Sequence, residues 1–106
     1  MKTLKLVLKK KWYDMIASGE KKEEYRELTP YWERRLWEHA PWSDHVTWPR
    51  EYDAVTFYLG YAKNRPSMTF KWRETDIRCG KMEWGAEFGK EYFVIKLGER
   101  IKEDKK

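Results

Sequence analysis

Residues 4–31 read LKLVLKKKWYDMIASGEKKEEYRELTPY, and this stretch sets the order strand, helix, turn, strand, helix. Leu4, Leu6 and Leu8 alternate with Lys5, Val7 and Lys9, the period of two that belongs to a strand with one buried face. From Lys10 to Ser18 the spacing turns helical, with Trp12, Met15 and Ile16 on one side, and Gly19 stands where a left-handed C-cap would close the helix. Residues 22–28 then predict a strand on which Glu24 and Arg26 share one face and Glu23, Tyr25 and Glu27 the other. Lys21 joins Glu24 and Arg26 only if it belongs to the turn after Gly19. Thr29-Pro30 is a helix start, with a hydroxyl available as N-cap and a proline at the first helical position. That second helix is expected to run to about His39, with Trp32 and Leu36 inward and Arg34 and Glu38 as a solvent-side pair.

Downstream, residues 40–52 carry Pro41, Ser43, Asp44 and Pro49 together with Trp42 and Trp48, and read as a long loop of breakers. Strands follow at Ala54–Leu59, Ser67–Ile77 and Tyr92–Leu97, each with alternating apolar residues. Five or six strands with two short helices near the N-terminus and no βαβ rhythm predict an α+β fold, a small mixed barrel that hides its strand edges. At 106 residues the chain is expected to be one domain, 1–98, followed by a charged, frayed tail, 99–106.

The chain is 39% charged yet 17% aromatic, so large rings must supply much of the core, and a disordered chain of like polarity would lack them. A single cysteine, Cys79, excludes an internal disulfide, and no charged-then-apolar leader precedes the first strand, so a cytoplasmic location is expected. No apolar run approaches the roughly 20 residues of a membrane-spanning helix. The net charge of +5 favours a polyanionic partner.

Gly19, Lys21, Glu24 and Arg26 place two cations and a carboxylate within eight positions. Such a run is either a solvated face or an anion site. The four residues spell Gly-x-Lys-x-x-Glu-x-Arg, and with the flanking 4–31 segment they resemble the opening of ASCH domains, small members of the PUA-like superfamily. DAVTFYLGY, the Glu83–Ala86 segment EWGA and YFVIKLGERI also look like that family's middle and closing strands; the Trp-rich stretch 40–52 departs from its pattern. The resemblance implies a PUA-like barrel with a cleft for RNA or nucleotides. Some relatives remove an acyl group from a modified cytidine with a threonine three positions after the motif lysine, where this chain has Glu24.

Lys9, Lys10 and Lys11 stand at the start of the first helix, where they either lie along the surface or hold phosphate. Glu24 and Arg26 form either a structural ion pair or, with Lys21, one wall of a pocket. Tyr58, Tyr61, Trp42, Trp48 and Trp84 are candidate base-stacking rings, Tyr61 and Trp84 foremost because each adjoins a glycine. His39, His45, Asp44 and Cys79 lack a metal-ligand spacing, so neither metal nor cofactor is expected. Three functions follow as expectations: a monomer binding RNA, a nucleotide or a nucleoside; a hydrolase of a modified nucleoside or a ribonuclease with Lys21 and Glu24 as acid–base partners; or a protein-contact module built on Trp42 and Trp48.

Overall fold

The computed structural model describes residues 1–101. Seven strands and two helices appear in the order β1 (Thr3–Leu8), α1 (Lys10–Ala17), β2 (Glu23–Arg26), α2 (Pro30–Leu36), β3 (Trp37–Ala40), β4 (Ser43–Pro49), β5 (Ala54–Leu59), β6 (Ser67–Cys79) and β7 (Glu91–Ile101). Five strands hydrogen-bond in the order β1-β5-β6-β7-β2, and β3 pairs with β4 separately. β1 runs parallel to β5, from Thr3 opposite Ala54 to Leu8 opposite Leu59, whereas β5–β6 and β2–β7 are antiparallel. The fold is therefore α+β with a mixed sheet and two short helices, as the periodicity predicts.

The described residues divide into two compact units, each assembled from separate segments: the first from Met1–Lys22, Tyr52–Arg73 and the described residues from Leu97 on, the second from Glu23–Glu51 and Glu74–Lys96. In the first unit the alternation of β1 comes through as burial of Leu4, Leu6 and Leu8 with Lys5 exposed. Each buried leucine contributes about 2 kcal/mol of apolar burial. Val55, Phe57 and Met68 are sealed with them, and α1 adds Tyr13 and Ile16 from its inward side.

The second unit is held by rings. Tyr25, Tyr92, Val94 and Ala86 form a cluster with Trp84 packed against it, and the Tyr25 and Tyr92 rings stand 5.7 Å apart. Gly80 is required here by close approach, since a Cβ at that position would lie 2.6 Å from Cζ of Tyr25. Trp37 meets Phe93 at 5.8 Å, and Leu36 is fully buried.

Three expectations change. α2 ends at Leu36, short of His39, because Trp37 turns to extended backbone (φ −135°, ψ 154°) and Arg50 satisfies the freed carbonyls, its backbone N–H donating to Leu36 O at 2.9 Å and its Nε to Arg34 O at 2.8 Å. The stretch read as a loop is the hairpin β3–β4, in which Pro41-Trp42 makes the turn and Val46, Thr47 and Trp48 supply strand-favouring side chains. Glu38 consequently sits on a strand and pairs with Arg50 at 3.5 Å instead of with Arg34. Finally, β7 continues through Glu99, Arg100 and Ile101; of the segment read as a frayed tail, residues 102–106 lie outside the described part.

Candidate functional site

α1 has no side-chain cap at its start, and its end is closed by Gly19 at φ +88°, the left-handed geometry the sequence predicts there. The Gly19 N–H donates to Ile16 O at 3.1 Å, and the Lys21 N–H reaches back to Met15 O at 3.0 Å. Those two bonds place Lys21 in the turn rather than on β2. Its side chain is only 2% exposed, and Nζ stands 5.5 Å from the centre of the Trp12 ring. A lysine so deeply buried is rare, because removing an ammonium from water is costly unless polar groups or π-faces surround it.

Lys21 borders a cavity of about 600 Å³ that lies wholly within the first unit. Ile16 and Gly19 line it from the helix end, and Leu97 and Gly98 from β7. The Lys71-Trp72-Arg73 run of β6 completes it with Phe70, and Lys22 and Glu99 also line it. The lining thus contains four cations, Lys21, Lys22, Lys71 and Arg73, against one carboxylate, Glu99, which is held by Lys71 Nζ at 3.0 Å. Gly98 lets β6 come close: a Cβ there would meet Lys71 Cβ at 3.2 Å and Arg73 Cγ at 3.3 Å. A basic cavity with aromatic walls has the chemistry to take an anion joined to a planar apolar group.

Glu24 and Arg26 belong to the second unit. They share a face of β2, as parity predicts, and Arg26 Nη1 donates to Glu24 Oε2 and, at 2.9 Å, to the Tyr25 carbonyl. The same guanidinium lies 5.2 Å from the Trp32 ring. On the opposite face, Tyr25 donates to Glu23 Oε1 at 2.9 Å and accepts from the Lys81 N–H at 2.9 Å, while Arg78 pairs with Glu23. Burial pushes the Tyr25 phenol well above its ordinary value of 10.0, with the Glu23 carboxylate adding to the rise.

Of the other sequence candidates, Lys9, Lys10 and Lys11 are exposed at the start of α1 in the first unit. Lys10 is paired with Asp14 at 2.7 Å, and Lys11 lies over Trp12 at 4.7 Å. Tyr61, also in the first unit, is 84% exposed beside Gly60, whose φ is +66°. Trp84 is half-buried against the second unit's ring cluster, with Lys81 Nζ 4.3 Å over its ring. Trp42 and Trp48 on the hairpin are 77% and 40% exposed. Sequence reasoning missed Lys71, Trp72 and Arg73, although a basic-aromatic-basic triplet inside a predicted strand is a signal in its own right.

Charge is divided between the units. Among the described residues the first carries twelve Lys and Arg against four Asp and Glu, the second eight against twelve. The positive balance of the chain therefore resides in the unit that holds the Lys21 cavity. Among the described residues no helix is long and apolar enough to cross a membrane, and no cluster of three His, Cys, Asp or Glu is arranged to hold a metal ion. Compared with family models, curated proteins and solved structures, the chain matches none of them.

Proposed function

We propose that this is a cytoplasmic, monomeric RNA- or nucleotide-binding protein of the ASCH type, built on a PUA-like barrel, and that its ligand enters the cavity beside Lys21. The observation that carries this reading is the buried lysine itself, set in a basic cavity with Phe70 and Trp72 in its wall. A phosphate complements Lys22, Lys71 and Arg73, while the planar base of a nucleotide complements the aromatic wall. The Gly19, Lys21, Glu24, Arg26 motif agrees with the same reading through its resemblance. Lys21 stands in the turn that the motif glycine creates.

The binding reading stands ahead of the hydrolase reading because Glu24 is already engaged by Arg26 and is only 6% exposed. It stands ahead of the protein-contact reading because the exposure of Trp42 and Trp48 does not by itself define a partner.

Isothermal titration of the full chain with nucleoside monophosphates tests it. Binding is expected for the wild type, with a loss of about tenfold for Arg73→Gln and for Lys21→Met. Arg73 is exposed, so Arg73→Gln keeps the test open if the buried substitution fails to fold. Wild-type protein that binds neither nucleotides nor single-stranded RNA at low salt would end the proposal.

A further inference from the structure

The register of the parallel pair β1–β5 places Leu8 beside Leu59, so the segments that follow both strands leave the same end of the sheet. The Gly60 N–H donates to Leu8 O at 3.2 Å and ties them together. One segment is Lys9-Lys10-Lys11. The other is the loop 60–66, which carries the exposed Tyr61 and Lys63 and is folded back by Arg65, whose Nη1 donates to Gly60 O at 3.1 Å while its guanidinium covers Tyr58 at 4.2 Å. Residues 9–14 and 60–66 together hold five Lys and Arg and one carboxylate, Asp14, which is taken by Lys10.

Like charges crowded on one surface repel one another, and a partner with regularly spaced negative charges relieves that repulsion. Tyr61, 84% exposed on the loop that also carries Lys63, offers a π-face to solvent. Basic groups flanking a free aromatic ring are the footprint of a single strand, in which phosphates and stacked bases alternate. This surface stands at the start of α1, whereas the Lys21 cavity opens at its end. Eight helical residues separate the two by about 12 Å. A ligand that touches both must therefore carry more than one phosphate.

We infer that Lys9, Lys11, Lys63 and Tyr61 form a second contact surface for a single-stranded nucleic acid, so that the ligand is an oligonucleotide strand rather than a mononucleotide. The inference rests on the nucleic-acid reading of the Lys21 cavity and adds to it a length requirement and a second set of residues.

The experiment compares a nucleoside monophosphate, a fluorescein-labelled 12-nucleotide single-stranded RNA and vesicles of mixed neutral and anionic phospholipid, each titrated against full-length protein. The strand is expected to bind at least about tenfold more tightly than the monophosphate. The triple variant Lys9→Gln, Lys11→Gln, Lys63→Gln should lose about tenfold for the strand, with a salt slope smaller by about two, and should bind the monophosphate as before. Tyr61→Ala should weaken the strand by about fivefold or more, and Tyr61→Phe, which keeps the ring, should restore it.

A monophosphate that binds while the strand binds no more tightly overturns this inference and leaves the functional reading standing. Failure of both ligands to bind the wild type overturns the two together. Vesicle binding that is lost in the triple variant, with strand binding intact, assigns the surface to an anionic membrane and also overturns the inference.

Discussion

The two units handle charge in opposite ways. In the second, carboxylates outnumber cations, and at least five of its eight cations are ion-paired within the unit: Arg26 with Glu24, Arg78 with Glu23, Arg50 with Glu38 at 3.5 Å, Lys96 with Glu74 at 2.9 Å, and Lys90 with Glu27 at 2.8 Å. Among the described residues the first has three cations for every carboxylate, and its surplus collects around the Lys21 cavity and along residues 9–11 and 60–66. A surface whose charges are internally matched gains little from an added ion, while one with an unmatched surplus gains from every anion it meets. The contrast leaves the second unit's stability to its ring packing and the chain's unmatched positive charge to the first.

Substitutions should separate accordingly. The largest effect is expected from Gly80→Ala, which drives a methyl group into the Tyr25 ring and should cost about 3 kcal/mol in urea unfolding. An unchanged midpoint would break the view that ring packing holds the second unit. Next, the double reversal Lys22→Glu, Arg73→Glu should weaken nucleotide binding on the order of a hundredfold while thermal unfolding stays within a degree or two of wild type. Equal losses of stability and binding would erase the contrast between the units.

Tyr25→Phe removes a donor to Glu23 and the acceptor for the Lys81 N–H, and should cost about 2 kcal/mol at neutral pH. The pH dependence sharpens the point. With the folded phenol raised above its ordinary 10.0, both states keep the proton below pH 10, and the stabilisation is full there. Above pH 10 the unfolded chain releases the proton first, so wild-type stability falls and the gap to Tyr25→Phe narrows as the pH climbs toward the folded value. Unfolding midpoints measured at pH 7, 9 and 11 check the sign. The smallest effect is Thr29→Ala, which deletes the hydroxyl that accepts from the Trp32 N–H at 3.3 Å and should cost about 1 kcal/mol with no change in binding.

How far these features were legible depended on how local their causes are. β1, α1, the Gly19 turn, the Thr29 cap and the exact span of β5 follow from nearest-neighbour patterning, and all are present. The end of α2 was not legible because nothing in Trp37-Glu38-His39-Ala40 forbids a helix; what ends it is Arg50, arriving from well beyond the turn. The β3–β4 hairpin hid behind Pro41 and Pro49, which mark its turn and its end rather than a structureless loop. Arg78-Cys79 at the end of β6 and the polar Gly98-Glu99-Arg100 before Ile101 in β7 hid those strands' true length. At the candidate site, Lys21 and its turn could be read directly. Its facing wall of Lys71, Trp72, Arg73 and Gly98 could not, since sheet pairing brings it there from some fifty to eighty residues away.

The parallel register of β1 and β5 also governs when the protein can begin to work. Thr3 must find Ala54, and the intervening chain contains α1, β2, α2 and the whole β3–β4 hairpin. Closing so long a span costs entropy before any contact repays it, so this pairing is a slow, late event in folding. During synthesis at about 5–20 residues per second, β1 waits several seconds for its partner to be made. The lysines that follow it acquire the neighbouring 60–66 loop only after that moment, and a nascent chain presents the basic surface in its final form only once residue 66 has been translated.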